Sequence, residues 1–188
     1  MKQFVNNEKG ISLVELLAAI TISSFILASI YGVFLSGINA YKRIGIENQL
    51  RSEADYVVAT IMNRLYQFSP DGIDMEGTTN ERIQFIKNKQ KVINPSVGLV
   101  EEKETATETL SIELQNDAVF INDEKLNSDH LKILSNQSKL SYSCVRQEGS
   151  VCQSGIVTFM LTVQDRDHET PSDFLYIKPF TLKTEFGF

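Results

Sequence analysis

The sequence is poor in the residues that active-site chemistry draws on. It has two cysteines, two histidines and no tryptophan. Neither His130 nor His168 lies in a recognisable catalytic motif, and there is no G-x-x-x-x-G-K-[ST] loop, no G-x-S-x-G elbow and no H-E-x-x-H pair. Two cysteines with a nearby histidine also fall short of the ligands that zinc needs. The chain therefore reads as a non-enzyme, with no cofactor and no metal expected. Proline is scarce, at four, and neither internal repeats nor low-complexity tracts occur. Charge is missing altogether from Leu16 to Tyr41 and returns at Lys42.

That uncharged run is 26 residues long. As a helix rising about 1.5 Å per residue it spans about 39 Å, enough for a hydrocarbon core of about 30 Å. The apolar region of a signal peptide takes only about 7–15 residues, so a retained helix is the better reading. Lys2 and Lys9 precede the run, and the positive-inside rule leaves the N-terminus in the cytoplasm and the C-terminal bulk outside. The chain has 188 residues and a net charge of −6. The first ten residues carry +1 (Lys2, Glu8, Lys9), which leaves −7 for the rest and argues against broad non-specific nucleic-acid binding. Glu15 sits just inside the apolar segment. A charge costs roughly 2.5–3.5 kcal/mol at the centre of a membrane helix and less near its end. On its own, Glu15 is either a mark of the membrane boundary or a functional carboxylate.

Lys9-Gly10 followed by Ile11-Ser12-Leu13-Val14-Glu15-Leu16-Leu17 resembles the prepilin cleavage and methylation motif. That motif has a short basic leader ending in Gly, an apolar first mature residue, Glu at the fifth mature position and a long apolar helix. Ile11 stands where the family usually has Phe. The resemblance covers about the first 40 residues. It implies cleavage between Gly10 and Ile11 by a prepilin peptidase and methylation of the new Ile11 amine. It also implies partners: other pilin or pseudopilin subunits met through the helix, an inner-membrane assembly platform, and membrane lipid before assembly. Motor ATPase and peptidase activities would belong to partners. The new amine of one subunit could then meet the Glu15 carboxylate of its neighbour, making Glu15 an assembly carboxylate, since a buried charge is tolerable only when paired. Ser24, Ala28, Gly32 and Ser36 recur at four-residue steps, either as a helix-packing stripe or as ordinary membrane-helix composition. Major pilins often carry a Pro well along this segment. Here there is none, and Gly32 and Gly37 are left to loosen the helix.

Beyond the apolar run, positions 50, 54, 57, 58, 61, 62 and 65 form a helical stripe, with Ser69-Pro70-Asp71-Gly72 as its stop. One helix from about Ile11 to about Tyr66 is expected. Alternating strands follow at Arg82–Ile86, Leu110–Leu114, Leu140–Val145, Ile156–Val163 and Phe174–Phe186, with a hairpin around Asn122-Asp123-Glu124. Val92–Val100 is ambiguous, and Glu101–Glu108 reads as a solvated acidic loop. The fold class is α+β, a long N-terminal hydrophobic helix packed on an antiparallel sheet. The expected division is a leader at 1–10, a membrane or filament-core half-helix at 11–41, its amphipathic continuation at 42–68, and an extracytoplasmic β-rich domain at 69–188. This plan is similar to the J-type pseudopilins of type II secretion, the PilW-like minor pilins and the minor subunits of competence pseudopili. It implies a minor structural subunit of a type IV filament, acting in filament initiation or at the tip. The alternative is a tip-located binding module for DNA or an exported substrate.

Three further groups are candidates. Cys144 and Cys152 flank the turn Gln147–Ser150, and a hairpin centred on Glu148 would set them face to face for a disulfide; two free thiols are the other possibility. Asp165, Asp167 and Glu169, and likewise Asp71, Asp74 and Glu76, offer oxygens to a calcium ion but suit solvated loops better. Lys87, Lys89 and Lys91 would share one face of a strand and could touch phosphates, which keeps nucleic acid open as a weakly supported partner.

Overall fold

A computed structural model describes residues 12–93, 98 and 100–188. Helix α1 spans Leu13–Phe68. The chain divides between Ile44 and Gly45 into two compact units.

In the first unit every described residue, from Ser12 to Ile44, is exposed. Phe25 is 76% exposed and Val33 is 75%. A soluble monomer rarely leaves so large an apolar surface bare, so this stretch needs a covering. It lies in the one helix, among the described residues, that is long and apolar enough to cross a membrane.

In the second unit α1 buries Leu50, Ala54, Val57, Ile61 and Leu65. Their spacing of three or four residues puts them on one helical face, and they join the core. The helix ends in a left-handed cap. Ser69 has φ 50° and donates its N–H to the Leu65 carbonyl at 2.9 Å, and Pro70 prevents continuation.

The rest of this unit is an antiparallel sheet of nine strands among the described residues. In chain order they are β1 (Gly72–Asp74), β2 (Arg82–Ile93), β3 (Val100–Gln115), β4 (Ala118–Ile121), β5 (Glu124–Lys125), β6 (Leu131–Ile133), β7 (Lys139–Glu148), β8 (Val151–Asp165) and β9 (Phe180–Gly187). Their order runs β5-β4-β3-β2-β1-β8. Strand β8 is the hub. Cys152 pairs with both Ile73 and Gln147, Val157 with Tyr142 and Phe186, and Val163 with Ile133 and Phe180. So β7 and β6 follow one another along one edge of β8, and β1 and β9 along the other. Alternate residues Val157, Phe159, Leu161 and Val163 are buried, with Ile83, Phe85, Ile112, Leu131 and Ile133 in the same core. Two tight hairpins turn on Asn116-Asp117 and Asn122-Asp123, all four at positive φ, the conformation that a type I′ turn demands and that Asn and Asp tolerate best after Gly.

The architecture is the expected α+β, pilin-like arrangement. Several local expectations are corrected. Glu101–Glu108 is strand, not loop: it lies within β3 and pairs with β2 as far as Ile93. The two strands form an arm whose outer part buries little, so the polar sequence carries no alternation to reveal it. Strand β9 begins at Phe180 and not at Phe174, because Phe174 and Leu175 lie in a turn that Asp173 organises, accepting from the Leu175 N–H and donating its own N–H to the Thr170 carbonyl. The short strands β1 and β6, three residues each, carry no periodic signal in the sequence.

Candidate functional site

The chemistry that the sequence singles out begins at the start of α1. Gly10 and Ile11 lie outside the described residues. Ser12 and Glu15 are described, and they form a reciprocal cap. Ser12 donates both its N–H (2.9 Å) and its hydroxyl (3.0 Å) to Glu15 Oε2, while the Glu15 N–H reaches back to Ser12 Oγ at 3.3 Å. This is the capping box S-x-x-E, which satisfies N–H groups that the first helical turn leaves unpaired. The carboxylate also sits where the positive end of the helix dipole favours a negative charge. Glu15 therefore has an occupation within its own chain, which sequence reasoning missed although Ser12-Leu13-Val14-Glu15 spells the pattern.

Ser24, Ala28, Gly32 and Ser36 all lie on exposed α1, and Gly32 and Gly37 face open space. The Ser24 hydroxyl donates to the Thr21 carbonyl, and Ser29 and Thr21 make similar bonds within the helix. These three hydroxyls are thus satisfied by the helix's own backbone, as an apolar surrounding requires.

Cys144 and Cys152 form a disulfide with Cα atoms 5.8 Å apart. The route differs from the expected facing pair. The hairpin turns on Gly149-Ser150, with Gly149 at φ 60°, and not on Glu148. In register Cys144 lies opposite Gly155 and Cys152 opposite Gln147. Irregularities between Cys144 and Gln147 let the two sulfurs meet. Gly155 makes this possible: a Cβ there would collide with the Ser143 carbonyl oxygen and lie 3.2 Å from Cys144 Cα.

The lysines of β2 stand opposite glutamates of β3. The register sets Lys87 opposite Glu108, Lys89 opposite Glu104 and Lys91 opposite Glu102, and Lys89 Nζ lies 3.7 Å from Glu102. From residue 87 to 108 four lysines stand against four glutamates.

The acidic groups are occupied too. Asp71 Oδ2 accepts the N–H groups of Asn88 and Lys89, both at 2.8 Å, at the irregularity in β2, and Asp74 accepts from the Glu76 N–H. Asp165 holds the His168 ring and the Asp167 N–H, and Glu169 pairs with Lys132 at 3.0 Å. Among the described residues no group of three or more His, Cys, Asp or Glu is placed to hold a metal ion. One grouping was not legible in the sequence. His130 and His168 line a single cleft of about 310 Å³ together with Glu53.

Compared with known proteins, residues 5–31 match the model of the prokaryotic N-terminal methylation motif. No curated protein and no solved structure matches the chain. The matched segment takes in the Glu15 cap and about the first half of the bare apolar helix. It implies processing by prepilin peptidase and assembly with other pilins. The chain carries the type IV prepilin-like signal, on a helix that suits a membrane-anchored pilin.

Proposed function

We propose that this protein is a minor pilin-like (pseudopilin) structural subunit of a type IV filament system: a pilus, a type II secretion pseudopilus or a competence pseudopilus. The observation that carries the proposal is the bare apolar surface of α1 from Leu13 to Ile44, the first part of which lies within the prepilin-type motif. Lipid covers such a surface before assembly, and the helices of other subunits cover it afterwards. In this reading residues 1–10 are the leader, 11–41 the membrane and then filament-core half of the helix, 42–68 its continuation, and 69–188 the domain outside the cytoplasmic membrane. Peptidase cuts between Gly10 and Ile11 and methylates Ile11, and Glu15 pairs with the Ile11 amine of a neighbour. Ser24, Ala28, Gly32 and Ser36 let another helix approach closely.

The minor role, in initiation or at the tip, rests on the strand-rich domain and on the absence of Pro from the apolar segment. Quantitative mass spectrometry of purified filaments tests it. The expected result is a few copies per filament, with fewer filaments when the gene is deleted. Stoichiometry equal to that of the bulk subunit would refute it. A tip-located binding module for DNA or an exported substrate is the second reading, and the glutamates opposite Lys87, Lys89 and Lys91 speak against DNA.

A further inference from the structure

His130 stands where three parts of the second unit converge. Its own segment joins β5 to β6 and is pinned at one point by Asn127, which is buried and bonds the Val119 N–H and the Leu131 carbonyl. The turn after β8 faces it: His130 Nδ1 lies 2.6 Å from Asp167 Oδ2, and the Arg166 N–H donates to the His130 carbonyl at 2.9 Å. Helix α1 is the third part, where Glu53 accepts from the Ser128 hydroxyl at 2.5 Å.

We propose that His130 is a proton-operated latch: as an imidazolium it ties the β5–β6 segment to Asp167 beside Glu53, and on losing its proton it loosens that segment. The charged groups around it decide the sense. From α1 comes Glu53. From the turn come Asp165, Arg166, Asp167 and His168, with Asp165 already engaged by His168. From its own segment comes Asp129, which is paired with Lys125. Carboxylates outnumber fixed cations here. The Asp167 carboxylate, through its hydrogen bond and its charge, raises the His130 pKa above the ordinary 6.5, and Glu53 and Asp165 add to this. A raised folded pKa gives a contribution that is complete below the unfolded value and lost as pH rises through the folded one. The tie is therefore stronger in mild acid and weaker as pH rises past the folded value, where the bond to Asp167 loses its charge assistance.

The effect is local. An exposed pair contributes little to global stability, and Leu131 and Ile133, wholly buried, hold β6 in place immediately after the latch. What changes is the opening of the segment and the surface it presents next to Glu53.

The test is amide hydrogen exchange on the full-length protein in detergent micelles at about pH 6 and about pH 8, corrected for intrinsic base catalysis. The Arg166 amide should lose protection several-fold at the higher pH, while the core amide of Phe159 does not change. Asp167→Asn and His130→Gln should each abolish that difference, and Asp167→Asn should lower the midpoint of the His130 imidazole titration followed by NMR. Equal Arg166 protection at both pH values in the unaltered protein would overturn the proposal, as would a pH dependence that survives in His130→Gln.

Discussion

Glu15 has two possible occupations, and three substitutions separate them. One is the cap on its own helix, through Ser12. The other is the charge pair with a neighbour's amine. Glu15→Gln keeps a carbonyl oxygen that can accept from Ser12, and Gln serves in a capping box, so the cap survives while the charge disappears. Ser12→Ala does the reverse. Loss of a cap costs about 1 kcal/mol. Leaving one member of a buried ion pair unpaired costs about 3–5 kcal/mol. At 1.4 kcal/mol per factor of ten, the first is about a fivefold effect and the second exceeds a hundredfold. Each variant should be expressed with the filament system intact, tested for membrane retention by alkaline extraction, and tested for incorporation by fractionating sheared filaments. All three should remain in the membrane. Ser12→Ala should incorporate close to normally, and Glu15→Gln should be nearly absent from filaments, as should Glu15→Ala. Normal incorporation of Glu15→Gln together with failure of Ser12→Ala would refute charge pairing and leave Glu15 as a helix cap alone.

Two further predictions concern the second unit. Gly155→Ala brings a Cβ against the Ser143 carbonyl and Cys144 Cα, and should destabilise the domain by about 1–3 kcal/mol in denaturant unfolding, with a less complete disulfide by thiol titration. Removing the disulfide by Cys144→Ser with Cys152→Ser opens a loop of sequence separation 8. The chain-entropy model gives a loss of about 2.5 kcal/mol for so short a loop, measurable as a lower denaturation midpoint with an unchanged fold by circular dichroism.

How much was legible in the sequence follows from how local each signal is. The prepilin-like signal was readable because its evidence is contiguous: an uncharged run, lysines ahead of it, and Glu15 five residues past Gly10. The capping box was equally contiguous, but its apolar setting drew attention to the membrane instead of to Ser12. Strands with one buried face, such as Ile156–Val163, announced themselves by alternation. The arm of β2 and β3 did not, because Glu102–Thr109 faces solvent throughout and therefore has no buried period to show. Strands β1 and β6 are three residues each, too short for any period. The disulfide was inferred from a simple hairpin, yet it depends on irregular pairing and on a glycine across the sheet. The cleft with both histidines was beyond reach. Antiparallel pairing of Leu131 with Asp165 brings His130 to the turn that holds Asp167 and His168, and nothing in the local sequence encodes that long-range register.

The most direct measurement is of the N-terminus. The protein is expressed with and without a prepilin peptidase, and its terminal peptide is read by mass spectrometry. A peptide that begins at N-methylated Ile11 only when the peptidase is present is the expected result. An intact Met1 under both conditions, or a cut beyond the apolar run, would contradict prepilin processing and with it the assignment to a filament.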